Sequence, residues 1–200
     1  MKKNLSGLLL ILLLIISPLA YSAASSETLK AHINKVLEVL RNPDLKGESG
    51  KKVKQEKIRS ISAEVFDFTE LSKRSLGQNW NKLTAGQQEE FTKLFKSLLE
   101  TVYADKITSY TDERIIFKEE ITLSEKTVEV PTAIVTKTSE IPINYRLLQE
   151  KGRWKVYDVV IEGVSLVNNY RTQFREILAN KTPEALLDIL RKKVSEGRAS

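Results

Sequence analysis

The side chains best equipped for chemistry in this sequence are few. Asp67, Asp158 and Glu162 are carboxylates that would serve as general acids or bases if buried, because desolvation raises a carboxylate pKa. Their plainer role is hydrogen bonding to a neighbouring helix or pairing with an arginine. Arg171 and Arg175 stand four residues apart and so share one face of a helix. They can clamp a phosphate in a bidentate grip or pair with Asp158 and Glu162 on a strand beneath, and pairing is the simpler reading. His32, the sole histidine, flanks an apolar stripe, a position more typical of a core edge than of a base or ligand. The sequence has no nucleophile elbow, no Gly-rich phosphate cradle and no His/Cys metal spacing. It also lacks cysteine, which excludes disulfides, thiolate metal sites, a thiol nucleophile and lipidation on an N-terminal cysteine.

Composition places these residues in an ordinary folded domain. The chain has 200 residues, 41% apolar and 29% charged, enough for one domain with a real core. Residues 1–24 have the form of a secretory leader: Lys2 and Lys3, an apolar run over Leu8–Ile16, a break at Ser17-Pro18, then Ala20, Ser22, Ala23 and Ala24. That run is short of the ~20 residues a membrane span needs, so cleavage is expected near Ser22 or Ala24, with export to the periplasm. Residues 25–200 then form the folded domain. The net charge is +6, and subtracting Lys2 and Lys3 leaves +4. So small and scattered an excess does not argue for nucleic acid, although it suits an anionic membrane surface.

The elements follow from periodicity. Leu29, Ile33, Val36, Leu37 and Leu40 make a helical stripe ended by Asn42-Pro43. Residues 46–60 read as a charged loop running into a second helix. Val65, Phe66, Phe68 and Leu71 pack a third, stopped by Gly77, with Trp80 in the connection. A long fourth helix starts at Thr84, with Gln87 as its capping-box partner, and carries Phe91, Leu94, Phe95, Leu98, Leu99, Val102 and Ile107. Four strands in a meander follow at Arg114–Leu123, Thr127–Thr136, Ile141–Glu150 and Trp154–Glu162. Gly163–Ser165 turns the chain into a helix from Leu166 to Ala179, and Thr182-Pro183 opens the last, packed by Leu186, Leu187, Leu190 and Val194. Helices, an antiparallel sheet, then helices again make an α+β domain with one apolar sheet face covered by helices. Periodicity does not distinguish a filled core from a hollow one.

Specific words within this order carry a resemblance. The WKVYDV strand at Trp154–Val159 is followed by EGVSLVxNYRxQF over Glu162–Phe174. Upstream stand FDF at Phe66–Phe68, LGxxW at Leu76–Trp80, QxxFxxxFxxLL at Gln88–Leu99, VxVxT at Val128–Thr132 and NYRL at Asn144–Leu147. Together with the leader and closing helix, these resemble the MlaC family of periplasmic phospholipid carriers, also described as toluene-tolerance proteins. The resemblance implies an NTF2-like fold: a four-stranded antiparallel sheet against N-terminal and C-terminal helices, enclosing an apolar cavity. It implies a Gram-negative carrier that moves phospholipid between an outer-membrane lipoprotein–porin complex and an inner-membrane ABC transporter with an MCE-protein ring, maintaining outer-membrane lipid asymmetry. It implies no metal, no cofactor beyond the bound phospholipid, and no catalytic residue.

On this reading the acyl chains lie between the fourth helix and the sheet. The expected lining is Phe95, Leu98, Leu99, Tyr103, Val130, Ile134, Ile143, Tyr145, Val156, Ile161, Val167 and Tyr170. Two other readings stay open: a carrier of another lipid such as a hopanoid, and an NTF2-like enzyme acting on an apolar substrate. The enzyme requires a carboxylate facing the cavity without an arginine or backbone donor, and Asp158 is the candidate.

Overall fold

The computed structural model describes residues 18–109 and 114–199. Most of the expected leader, residues 1–17, lies outside the described residues. Helix α1 runs over Pro18–Arg41, so it begins well before Leu29, where the apolar stripe starts. The charged segment after Asn42-Pro43 is mostly helix: α2 spans Gly47–Val65 and buries Ile58 and Val65, with Lys52 and Lys57 exposed and Lys51 and Lys54 half-buried. Val65 therefore closes α2 and does not open the third helix. Helix α3, Phe68–Leu76, is capped by the Asp67 carboxylate, which accepts from the Glu70 N–H at 2.8 Å. It ends at Gly77, whose φ of 56° suits a residue without Cβ. A 3₁₀ turn over Gly77–Lys82 carries Trp80. Helix α4, Ala85–Thr108, opens on the expected capping box of Thr84 and Gln87.

The sheet keeps the predicted meander but divides it differently. Instead of one first strand there are two short ones, β1 (Arg114–Phe117) and β2 (Ile121–Ser124), both antiparallel to β3 (Thr127–Val135). Pro131 explains the break. It has no N–H to donate toward this edge, its carbonyl accepts from the Lys118 N–H at 2.9 Å, and Lys118–Glu120 leave the ladder. Strands β4 (Glu140–Glu150) and β5 (Arg153–Ile161) follow, and a two-residue β6 (Val164–Ser165) pairs with the end of β5. The expected four-stranded sheet is thus a six-stranded antiparallel one, ordered β1-β3-β4-β5-β6 with β2 also on β3. Helix α5 is Leu166–Asn180, capped by the Ser165 hydroxyl, and α6 is Pro183–Ala199.

Asp158 fastens this last corner. One carboxylate oxygen accepts from the Ser165 hydroxyl at 2.6 Å and from Arg146 at 3.3 Å, and the other from the Val167 N–H at 3.0 Å. The predicted pairing of Arg171 with Asp158 is not formed. Arg171 instead donates to the Arg74 carbonyl at 2.8 Å, tying α5 to α3.

Two hydrophobic clusters result. One joins α3, α4, α5 and α6 through Leu71, Phe91, Phe95, Phe174, Leu186, Leu187 and Leu190. The other joins α1 to the sheet through Leu29, Ile33, Val128, Val130, Leu147, Val156 and Val159. Phe66 and Tyr103 touch both.

Candidate functional site

A cavity of about 450 Å³ opens between the sheet and α1, α2 and the C-terminal half of α4. That size lies in the ~300–1,000 Å³ range of small-molecule pockets. The sheet presents one face to it, because alternate residues along a strand point the same way. Ile115 sits opposite Ile134, Ile134 opposite Ile141, Ile143 opposite Ile161, and Tyr145 opposite Val159. Ile134, Ile141, Ile143, Tyr145 and Ile161 are only half-buried although they face helices. The space in front of them is hollow.

Across from the sheet, α1 supplies Leu29, Ile33, Val36, Leu37 and Leu40, and α2 supplies Ile58, Ile61 and Val65. Phe66, Phe68 and Leu71 join the lining, as do Leu99, Tyr103, Ala104 and Ile107 on α4. Polar side chains reach the lining at few points: His32, Gln55, Arg59, Ser62, Glu100, Lys106, Thr108 and Glu162. Burial pushes the Tyr145 phenol up to about 12 and also raises Tyr103, so both hydroxyls stay uncharged. Such a wall can solvate hydrocarbon and offers it little directional chemistry.

Of the twelve residues expected in the lining, Leu99, Tyr103, Ile134, Ile143, Tyr145, Val156 and Ile161 lie on this wall. Phe95, Leu98, Val167 and Tyr170 belong to the filled cluster between the helices, and Val130 is fully buried in the sheet without reaching the hollow. Helix α4 turns its Phe91–Phe95–Leu98 face toward α5 and α6, and only its later turns toward the cavity. The contributions of α1 and α2 were not anticipated. Their signal was present in the aliphatic stripes Ile33–Val36–Leu37–Leu40 and Ile58–Ile61–Val65, masked in α2 by its lysines.

Of the candidate chemical residues, only Glu162 and His32 reach the lining. Asp67 is a helix cap and Asp158 is held by Arg146, Ser165 and a backbone N–H, both outside the lining. Arg171 and Arg175 do not line the cavity either. His32 does, with Nδ1 2.8 Å from the Thr28 carbonyl and Nε2 3.7 Å from Glu64. Among the described residues no group of three or more histidine or carboxylate side chains is placed to hold a metal.

The family model described as MlaC protein matches residues 30–192. The chain belongs to the MlaC family. The matched span takes in every lining residue of the cavity except Leu29. The intermembrane phospholipid transport system binding protein MlaC of Haemophilus influenzae is 28% identical over 126 residues, 60% of this chain and 59% of that protein. The toluene tolerance protein ttg2D of Pseudomonas putida is 24% identical over 123 residues, 60% of this chain and 57% of that one. This member thus aligns with somewhat under two thirds of the length of these relatives. In three dimensions it is similar to a phospholipid-binding protein of Ralstonia solanacearum solved in complex with a phospholipid, with a TM-score of 0.77 at 23% identity. That likeness covers 87% of this chain and 98% of the other, and it establishes the shared NTF2-like α+β fold.

Proposed function

We propose that this protein is a non-catalytic carrier of phospholipid, holding acyl chains in the cavity between the sheet and α1, α2 and α4. The observation that carries the reading is the hollow itself: an apolar space of about 450 Å³ walled mostly by aliphatic side chains, those of the sheet edge only half-buried. Two 16-carbon tails represent on the order of 25 kcal/mol of transfer out of water at ~0.8 kcal/mol per CH₂. A carrier must therefore enclose them, whereas the head group can remain in water. A bilayer offers comparable burial, so the carrier and a membrane can exchange lipid near equilibrium. The direction of transport then comes from the partners.

The seven wall residues named above, from Leu99 to Ile161, are the proposed acyl contacts, joined by Leu29, Ile33, Leu37 and Ile58. Family membership supports a periplasmic location after removal of the leader. It also supports two docking partners, an outer-membrane lipoprotein–porin complex and an inner-membrane ABC transporter with an MCE-protein ring. The enzyme reading asked for an unengaged carboxylate in the cavity, and Asp158 is engaged by three donors outside it.

Protein purified without detergent and sprayed under native conditions should carry a mass increment of one or more diacyl lipids. Lipid extraction from the same sample should identify a glycerophospholipid. A ligand-free protein would refute the carrier, and a hopanoid in the extract would replace the cargo.

A further inference from the structure

We propose that the Glu120 carboxylate is the seat of the mature chain's amino terminus. Removal of the leader after Ala24 sets the new ammonium of Ser25 on it and pins α1, one wall of the cavity, to the sheet. The inference rests on reading residues 1–24 as an export leader, and it selects Ala24 over Ser22 as the cleavage point.

The contact is already half-built. Glu120 lies where Pro131 interrupts the sheet edge, between β1 and β2. One of its oxygens, Oε2, accepts from the hydroxyls of both Ser25, at 2.5 Å, and Ser26, at 2.7 Å. Ser25 is fully buried, whereas Ala24 before it is exposed. The second oxygen, Oε1, is buried and has no hydrogen-bond partner among the described residues. Other charges nearby are already matched to one another: Glu27 to Lys30 on α1, and Lys118 to Glu140 on the sheet, with Glu119 exposed beside it.

Hydrolysis of the Ala24–Ser25 bond consumes one water, leaving a carboxylate on Ala24 and an ammonium on Ser25. It also removes the carbonyls that the first N–H groups of the shortened helix used, leaving a positive helix end with orphan donors. A carboxylate with one vacant, buried oxygen answers both the new ammonium and those donors. Cleavage after Ser22 would instead place the ammonium two residues away, about 3 Å further along the axis. Further along, α1 is tied to α2 by Lys35 and His32 on Glu64 and by Lys54 on the Leu40 carbonyl. Glu120 is thus the fastening at its leading end, upstream of Leu29 and Ile33 in the cavity wall.

The test uses the exported, processed protein. Intact mass should show a chain beginning at Ser25. With the α-amine carrying a ¹³C-methyl label, its NMR titration should lie about one pH unit above that of a free peptide of residues 25–34, for which ~8 is ordinary. In Glu120→Gln it should return to the peptide value, and amides of residues 25–33 should exchange about tenfold faster, with Glu119→Gln as the unchanged control. A chain beginning elsewhere, or a wild-type amine titrating like the peptide, overturns the proposal. The wild-type titration decides alone if Glu120→Gln does not fold. Lipid content of the same sample keeps the two ideas apart, since a loaded protein with an ordinary amine removes the seat and leaves the carrier standing.

Discussion

The two halves of this molecule are built from the same kind of residue and end in opposite states. Between α3, α4, α5 and α6 the space is filled. Phe91, Phe95, Tyr170 and Phe174 meet with ring centroids 4.8–5.6 Å apart, mostly edge to face, and Leu186 and Leu187 are wholly buried. Between α1, α2 and the sheet, aliphatic walls of comparable apolarity stand apart around the hollow. Aromatic rings pack the solid half, and isoleucine, leucine and valine line most of the other. The difference suits the proposed roles. Large rigid rings in fixed geometry make a unique core, whereas aliphatic chains can meet a flexible hydrocarbon in many arrangements.

The comparison breaks most visibly at Phe95. Expected on the cavity wall, it is instead 1% exposed in the filled cluster. Phe95→Ala should therefore cost about 3–5 kcal/mol of stability in urea unfolding. A loss below ~1 kcal/mol would mean that the filled half is not filled.

Tyr145 probes the hollow side by pH. Its folded pKa is raised to about 12 by burial, whereas an unfolded phenol ionises near ~10. Across that window the unfolded chain binds fewer protons than the native one, so stability falls as pH rises, by about 2–3 kcal/mol in total. Tyr145→Phe should remove that part of the slope, and an identical slope in the variant would contradict the burial.

The smallest expected effect separates two positions that were both expected on the cavity wall. Val130→Trp overpacks a closed site and should cost about 1–3 kcal/mol. Leu99 is also buried but borders the cavity, which can take up the larger ring, so Leu99→Trp should cost under about 1 kcal/mol yet reduce co-purified lipid at least tenfold. Normal lipid loading in Leu99→Trp would take that residue off the acyl path.

Much of this architecture was legible in the sequence because it is written locally. The Thr84–Gln87 capping box, the Ser165 cap, Gly77 and the Thr182-Pro183 start all act within one turn of chain, and alternation identified β3 and β4. The hollow was not legible in the same way. Leu186, Leu187, Leu190 and Val194 on α6 and Ile33, Val36, Leu37 and Leu40 on α1 are equivalent stripes by spacing and hydrophobicity. Which of them meets partner atoms depends on how far a second element stands off, and that is a tertiary property. For the same reason Phe95 and Leu98 of α4 were expected beside Leu99 and Tyr103 in the lining, although only the later turns of the helix face the cavity. The break at Pro131 had a local signal, a missing donor, but its effect falls on the neighbouring strand. Asp158 and Arg171 suggested an ion pair with each other, but Arg146, the Ser165 hydroxyl and the Val167 N–H hold Asp158, and the Arg74 carbonyl holds Arg171.

Helix α4 runs unbroken through both halves, its first turns embedded among rings and its last turns beside the hollow. It is a beam embedded at its first turns and tied near its last to α2, through Lys51 and Gln55 on Asp105. On the proposed function, a cargo that swells the cavity presses on the turns that carry Leu99, Tyr103 and Ile107 and draws α2 along with them. The filled half then acts as the foundation against which the other half yields, which lets a single domain stretch around its load without a hinge between domains.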